Sequence, residues 1–261
     1  MEIKITLSHF KTKLKILFKN NLILSRFFWF FFSIFRLINF YFSRAHNLYQ
    51  DILNKYREVE VIKIAFIGPV HSSHFKNSDG HASLYGIWRS QIGLPRDVLT
   101  MISVWSDIKT ASLRSDNILS GLKLIKSHTT KLLAPTLRPK TSEPPVKQGN
   151  YAFRWFKTPK ENYDKFLQLC EEAWPSFESS FDSQVIGLWR QQQIAKDSVT
   201  TLLLTRRPDL SMWERSKIPK TMEEKTTREK LRRRYDLCDH TIVYTTTLIT
   251  ALDAKDNVSW S

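Results

Sequence analysis

Leu84–Tyr85–Gly86–Ile87–Trp88–Arg89 is followed 101 residues later by Val185–Ile186–Gly187–Leu188–Trp189–Arg190. Gly, Trp and Arg recur at one spacing, and a second β-prone run follows each copy, Val98–Trp105 in one case and Ser198–Arg206 in the other. Similarity at a fixed offset, inside matching strand–turn–strand contexts, marks duplicated structural units. Strand alternation places Gly86 and Trp88 on one face, and Tyr85, Ile87 and Arg89 on the other. A sheet with one face under helices and a second apolar face needs another sheet to cover it, and a second copy in the same chain supplies one. The glycine leaves room for a close backbone or a neighbouring ring.

Around the second hairpin the pattern reads in full. Tyr151–Lys157 is a strand, and Pro159 opens a helix that runs through Trp174 and is stopped by Pro175. The hairpin Ser183–Gln192 with Ser198–Arg206 comes next. A helix over 222–236 and a β-branched strand Asp239–Ile249 complete a βαββαβ order, the ferredoxin-like arrangement. Around the first hairpin, Val61–Ile67 reads as a buried strand ended by Gly68 and Pro69, with a polar loop over 70–81. Ala82–Arg89 and Val98–Trp105 are joined by a turn at Gly93–Leu94–Pro95, and 112–134 has near-helical leucine and isoleucine spacing. Residues 135–149, rich in Pro, Lys and Ser, form the linker between copies. Only about 14 residues separate the strands at 67 and 82, too few for a full helix, so the first copy is incomplete or differently completed.

The fold class that follows is α+β, with tandem ferredoxin-like repeats forming a pseudo-dimeric α+β barrel. Residues 61–140 hold the first repeat, 150–250 the second, and 1–60 a basic, aromatic-rich N-terminal segment. At 261 residues, 42% hydrophobic and 13% aromatic, the chain has ample material for packed cores. Of the net charge of +15, the first 60 residues carry ten Lys/Arg against four Asp/Glu, which leaves +9 for the rest. That moderate excess points to no specific nucleic-acid partner. Within 1–60, Lys11, Lys13, Lys15 and Lys19 precede an aromatic run from Leu22 to Phe42 that is interrupted by Arg26 and Arg36. This pattern suits a spanning helix, a targeting segment or a helix lying in a membrane interface. Cys170 and Cys238 are too few for a disulfide framework and read as reduced thiols within elements.

The segments YGIWRSQIG (85–93), YAFRWFK (151–157), EEAWPSFE (171–178) and IGLWR (186–190) resemble the NIPSNAP family of the dimeric α+β barrel group. The resemblance covers about residues 61–250 and is strongest in 82–105 and 150–208. It rests on aromatic, Gly and Arg positions rather than on a catalytic signature. It implies two ferredoxin-like halves facing each other across a barrel, and, for eukaryotic members, roles in mitochondrial or vesicle-linked processes. The function expected is binding of a small apolar or amphipathic ligand, or of a protein partner, through the barrel and its rim, with homo-oligomerisation open. The alternative is a haem- or quinone-directed monooxygenase of the same barrel group, in which haem would be the cofactor.

The ligand candidates are Trp88, Arg89, Trp155, Trp189, Arg190 and His240. Arg89 and Arg190 suit a carboxylate, a phosphate or an aromatic ring, or else an ion pair with Asp97 or Asp197; the buried pair is the expectation for Arg190. Trp155, Trp174 and Trp189 read as pocket walls or as plain core. His71, His74, Asp79 and His81 share one loop and are ligand types for a transition metal or haem iron, but their spacing matches no ligand pattern, so no metal is assigned. Lys230, Arg232, Arg233 and Arg234 share a helix with Glu223, Glu224 and Glu229 and read as a solvated face with i,i+4 pairs. No GxGxxG, P-loop, HExxH or GxSxG motif is present.

Overall fold

The computed structural model describes residues 58–65, 82–113, 127–192 and 195–253. The elements are β1 (Glu58–Ala65), β2 (Ala82–Ile92), β3 (Val98–Trp105), α1 (Ile108–Leu113), β4 (Ser127–Pro135), β5 (Asn150–Pro159), α2 (Tyr163–Ser180), β6 (Gln184–Gln191), β7 (Ser198–Arg207), α3 (Leu210–Arg215), α4 (Met222–Tyr235) and β8 (His240–Leu248). The strands close into a barrel in the order β1-β3-β2-β8-β5-β7-β6-β4. β1 is parallel to both neighbours, β3 and β4, and all other neighbouring pairs are antiparallel. The fold is therefore an α+β barrel with a mostly antiparallel sheet.

β5 to β8 lie side by side in the order β8-β5-β7-β6, with α2 and α4 on the connections. α2 forms because Tyr163, Phe166, Leu169, Cys170, Ala173, Trp174 and Phe177 fall on one helical stripe, all buried against the sheet. The expected stop at Pro175 does not occur. Pro175 lies on the exposed side, while Trp174 and Phe177 anchor the turn around it, so the helix runs on to Ser180. α4 starts at a capping box in which Thr221 accepts from the Glu224 N–H and Glu224 reaches back.

β1 to β4 have the order β4-β1-β3-β2, and β1 is parallel to both its neighbours where β5 is antiparallel to both of its own. The last residue of β1, Ala65, and the first of β2, Ala82, both pair with Trp105. The helical reading of 112–134 is corrected: α1 ends at Leu113 and Ser127–Pro135 is strand β4, paired with β1 and β6. The segment after it continues along β6, where the Thr136 N–H donates to the Leu188 carbonyl and the Leu188 N–H to that of Arg138. Arg138 also holds the Glu178 carboxylate at 2.9 and 3.1 Å. Residues 1–57, with the expected membrane or targeting segment, and the loop containing His71, His74 and His81 lie outside the described residues.

The barrel interior is filled by side chains from both halves. Trp88 packs edge-on against Tyr151 (5.9 Å) and Phe153 (5.4 Å), Phe153 stacks on Tyr244 (5.2 Å), and Tyr85 meets Trp189 edge-on at 6.2 Å. Register shifts between Leu84 and Gly86, and between Val185 and Gly187, mark a bulge in each hairpin. The bulge overturns the simple alternation: Tyr85 joins Gly86 and Trp88 on the inner side, as Ile186 joins Trp189. Each indole lies over the glycine two residues before it. A Cβ on Gly86 would sit 2.5 Å from Trp88 Cη2, and one on Gly187 would strike the Trp189 indole and lie 2.8 Å from Pro139 Cδ. Gly187→Ala is therefore expected to destabilise by about 1–3 kcal/mol through overpacking, a loss of several degrees in a thermal melt, where an unstrained Gly→Ala change would gain.

Candidate functional site

On β5, Ala152, Arg154 and Phe156 face away from the barrel interior, towards the helices. Antiparallel pairing sets Thr205 and Thr245 on either side of Ala152, and Leu203 and Val243 on either side of Arg154. One row further along, Arg207 pairs with Asn150. Side chains of paired residues share a sheet face, so Arg154, Arg207, Thr205 and Thr245 surround the small Ala152. Over them lies α4, whose buried stripe is Glu224, Thr227, Leu231 and Arg234. The turn after α3 adds Lys217, and Arg228 of α4 is half-buried beside it.

Two of these cations are deeply enclosed: Arg207 is 5% and Arg234 2% exposed. Aromatic rings partly replace their lost water. The Arg234 guanidinium carbon stands 4.8 Å from the Phe156 ring centre and 5.3 Å from that of Tyr235, and Arg154 stands 5.4 Å from the same Tyr235 ring. Arg207 lies 5.2 Å over Phe177. Rings attract cations through their quadrupole but do not neutralise charge. Polar partners are few. Arg234 contacts Cys170 Sγ at 3.7 Å and Arg207 donates to Thr205 Oγ1 at 3.3 Å. Nε of both arginines, and Oγ1 of Thr227 and Thr245, are buried without a hydrogen-bond partner.

The acids nearby are engaged elsewhere. Glu224 binds Arg215 at 2.5 Å, and Glu229 and Asp236 both bind Arg232 on the outer face of α4. Arg154, Arg207, Lys217, Arg228 and Arg234 join no ion pair among the described residues. Burial, and then the neighbouring arginines, push Lys217 down to about 8. Burial and then Arg154 push Arg207 down to about 10. Burial pushes the Cys170 thiol up, with Arg234 opposing, so it stands as a neutral thiol beside the arginine. Two like charges roughly 8 Å apart at an effective dielectric of 20 repel by about 2 kcal/mol. Five gathered cations thus carry a substantial cost that an anion between them would remove.

The residues singled out from sequence fall elsewhere. Trp88 and Trp189 fill the barrel, and Trp155 is half-buried at one end of it, with Lys131 Nζ 4.9 Å over its ring. There Lys131 pairs with Glu60, and the Tyr244 hydroxyl donates to the same carboxylate at 2.6 Å, so this polar end is internally satisfied. Arg89 is half-buried on β2, while Arg190 and His240 are exposed. The buried ion pair expected at Arg190 is corrected: the strand places Trp189 inward and turns Arg190 to solvent. Cys170 lies in α2, but Cys238 lies in the connection before β8. The run Lys230–Arg234 also divides, Arg232 pairing on the surface as expected and Arg234 turning inward. The missed residues had a partial signal. Arg154 alternates with Ala152 and Phe156 on one strand face, and Thr227, Leu231 and Arg234 fall on one helical stripe.

No family model matches the chain. No curated protein matches it either. Among solved structures it is similar to the crystal structure of an anthrone oxidase-like protein, with a TM-score of 0.41 and 11% identity over 69% of this chain and 81% of that one. A likeness of that degree does not bear on the site.

Two outcomes follow. Below about pH 8, Lys217 is charged in both folded and unfolded chains; between about 8 and 10.5 only the unfolded chain holds the proton, so this residue's stability contribution rises with pH. Lys217→Met should therefore melt above the natural protein at pH 7, with the gap closing as pH rises through that window. Arg190→Leu, at an exposed position, should shift stability by no more than about 0.5 kcal/mol, measured by the same melts.

Proposed function

We propose that this chain is a binding protein for a multiply charged oxyanion, a phosphate monoester or pyrophosphate group, held between the outer face of β5, β7 and β8 and helix α4. The observation that carries the reading is the pair of enclosed guanidinia, Arg207 and Arg234, each with an unpartnered Nε and no acid to balance it. Guanidinium forks match phosphate oxygens, and the free Thr227 and Thr245 hydroxyls add donors. A single carboxylate would offset only one of the five charges; a phosphate monoester carries about −1.5 to −2 near neutral pH. Arg154, Lys217 and Arg228 are the half-buried members of the cluster, nearer to solvent than Arg207 and Arg234.

This reading keeps ligand binding as the function and moves it from the barrel lumen to the helical face. A haem- or quinone-sized guest in the lumen would have to displace Trp88, Phe153, Tyr244 and Trp189, so the monooxygenase alternative gains no support there. The architecture is consistent with two ferredoxin-like units in tandem. Supporting this are the repeated Gly–x–Trp–Arg segments, the bulge before each glycine and the indole over each glycine. The NIPSNAP resemblance rests on the same hairpins and on YAFRWFK, whose Arg154 belongs to the proposed site.

Thermal melts with inorganic pyrophosphate, against sodium chloride at matched ionic strength, test the reading. A saturable rise is expected, reaching about 2.7 kcal/mol at a ligand concentration 100 times the dissociation constant. Arg207→Leu should fold without loss of stability in the absence of anion and should abolish the rise. No rise beyond the chloride control, or a rise unchanged in Arg207→Leu, would overturn it.

A further inference from the structure

The turn that carries Lys217 towards the cation cluster also carries large apolar side chains towards solvent. Leu210 is 37%, Ile218 60% and Met222 76% exposed. They account for three of the nine large hydrophobic side chains exposed among the described residues, within a segment of 13. Such residues scattered singly mean little, but here they share one short segment next to an unbalanced positive site. The segment is held firmly. Arg215 bonds the Ile218 carbonyl at 2.7 Å and the Glu224 carboxylate, and the Lys220 N–H donates to Glu224 at 2.5 Å. Lys217 Nζ lies 4.8 Å over Trp213. Ile218 and Met222 are thus presented on a braced turn rather than on a loose one.

Charge and apolarity combine on this segment as they do on peripheral membrane proteins. Lys217, Lys220, Lys225 and Arg228 all lie within it or in the first two turns of α4, where Glu224 and Glu229 are paired with Arg215 and Arg232, and the remaining acids, Glu214 and Glu223, are outnumbered. Basic groups beside short apolar projections favour a surface that is anionic at its head groups and apolar beneath them. Among the described residues no helix is long and apolar enough to cross a membrane. A soluble phosphate compound would use the cluster equally well but would leave Ile218 and Met222 in water.

Resting on the anion-binding reading, we infer that the anion is the phosphate head group of an anionic lipid, gripped by Arg154, Arg207 and Arg234 while Leu210, Ile218 and Met222 enter the membrane interface. A phosphomonoester lipid such as phosphatidic acid meets both requirements, its head group filling the cation cluster and its acyl chains receiving the apolar tip.

The test uses the full chain, vesicles of phosphatidylcholine alone, vesicles in which phosphatidic acid replaces a fifth of the lipid, and inorganic pyrophosphate as the soluble arm. Hydrogen exchange read over residues 210–222 keeps the measurement local, whatever residues 1–57 do. Protection there by phosphatidic acid vesicles, absent with phosphatidylcholine, is expected. The double variant I218N/M222N should weaken that protection by roughly tenfold in lipid concentration and leave the pyrophosphate-induced rise in melting temperature intact. Arg207→Leu should lose both responses. If pyrophosphate stabilises the protein but vesicles give no protection, or the double variant responds like the natural chain, the lipid inference falls and the anion site stands. If pyrophosphate does nothing either, both fall.

Discussion

Two indole rings, each folded over the glycine two residues before it, set the geometry on which the barrel depends. Trp88 and Trp189 can turn inward and lie flat along their own strands only because Gly86 and Gly187 present no side chain beneath them. The bulge just before each glycine then brings Tyr85 and Ile186 inward as well, so one strand delivers two bulky groups to the lumen where regular alternation would deliver one. The rings bridge the halves: Trp88 touches Tyr151 and Phe153 of β5, and Tyr85 touches Trp189 of β6. These side chains make the lumen a packed core.

The outside of the second half is where the structure departs from economy. A sheet face under helices normally carries apolar side chains, as Phe156, Leu188 and Leu203 do here against Phe166 of α2 and Leu231 of α4. At its edge the same face changes to Arg154 and Arg207 around Ala152, with Arg234 of α4 above them. Phe156, Phe177 and Tyr235 shield those charges without matching them. Proteins usually bury a cation with its acid, because one charge left alone in a low dielectric is costly. Here several are retained together, with Glu224 and Glu229 committed to Arg215 and Arg232, and it is on this imbalance that the anion-binding proposal rests.

Local pattern made most of the strands legible. Period-2 runs and the Gly93 turn, where φ is +99°, place β2 and β3 within a few residues of their observed ends. The misreadings arose where tertiary contact outweighed pattern. Ser127–Pro135 has no strong alternation, since its first four residues are exposed, and it is a strand because β1 and β6 need a partner there. Pro175 signals an end that Trp174 and Phe177 override. For the site, the composition of α4 pointed to a solvated basic face, and Arg232 obeys it; the burial of Arg234 three residues beyond Leu231 was visible only as helical phase. Arg207 had no local signal at all, because its enclosure comes from helices distant in sequence.

The direction of β1 bears on how the barrel is assembled. β2 with β3 and β6 with β7 are hairpins, able to form from near neighbours in sequence, and β5 to β8 complete an antiparallel set around them. β1 has no hairpin partner. Its contacts lie 40 residues away in β3 and about 70 away in β4, both in parallel register. Loop-closure entropy must be met before such pairings return anything, so they form slowly. β1 is thereby placed after the β2–β3 and β6–β7 hairpins, and the β2–β8 pairing, which joins Trp88 to Leu248, closes over a longer stretch of chain still.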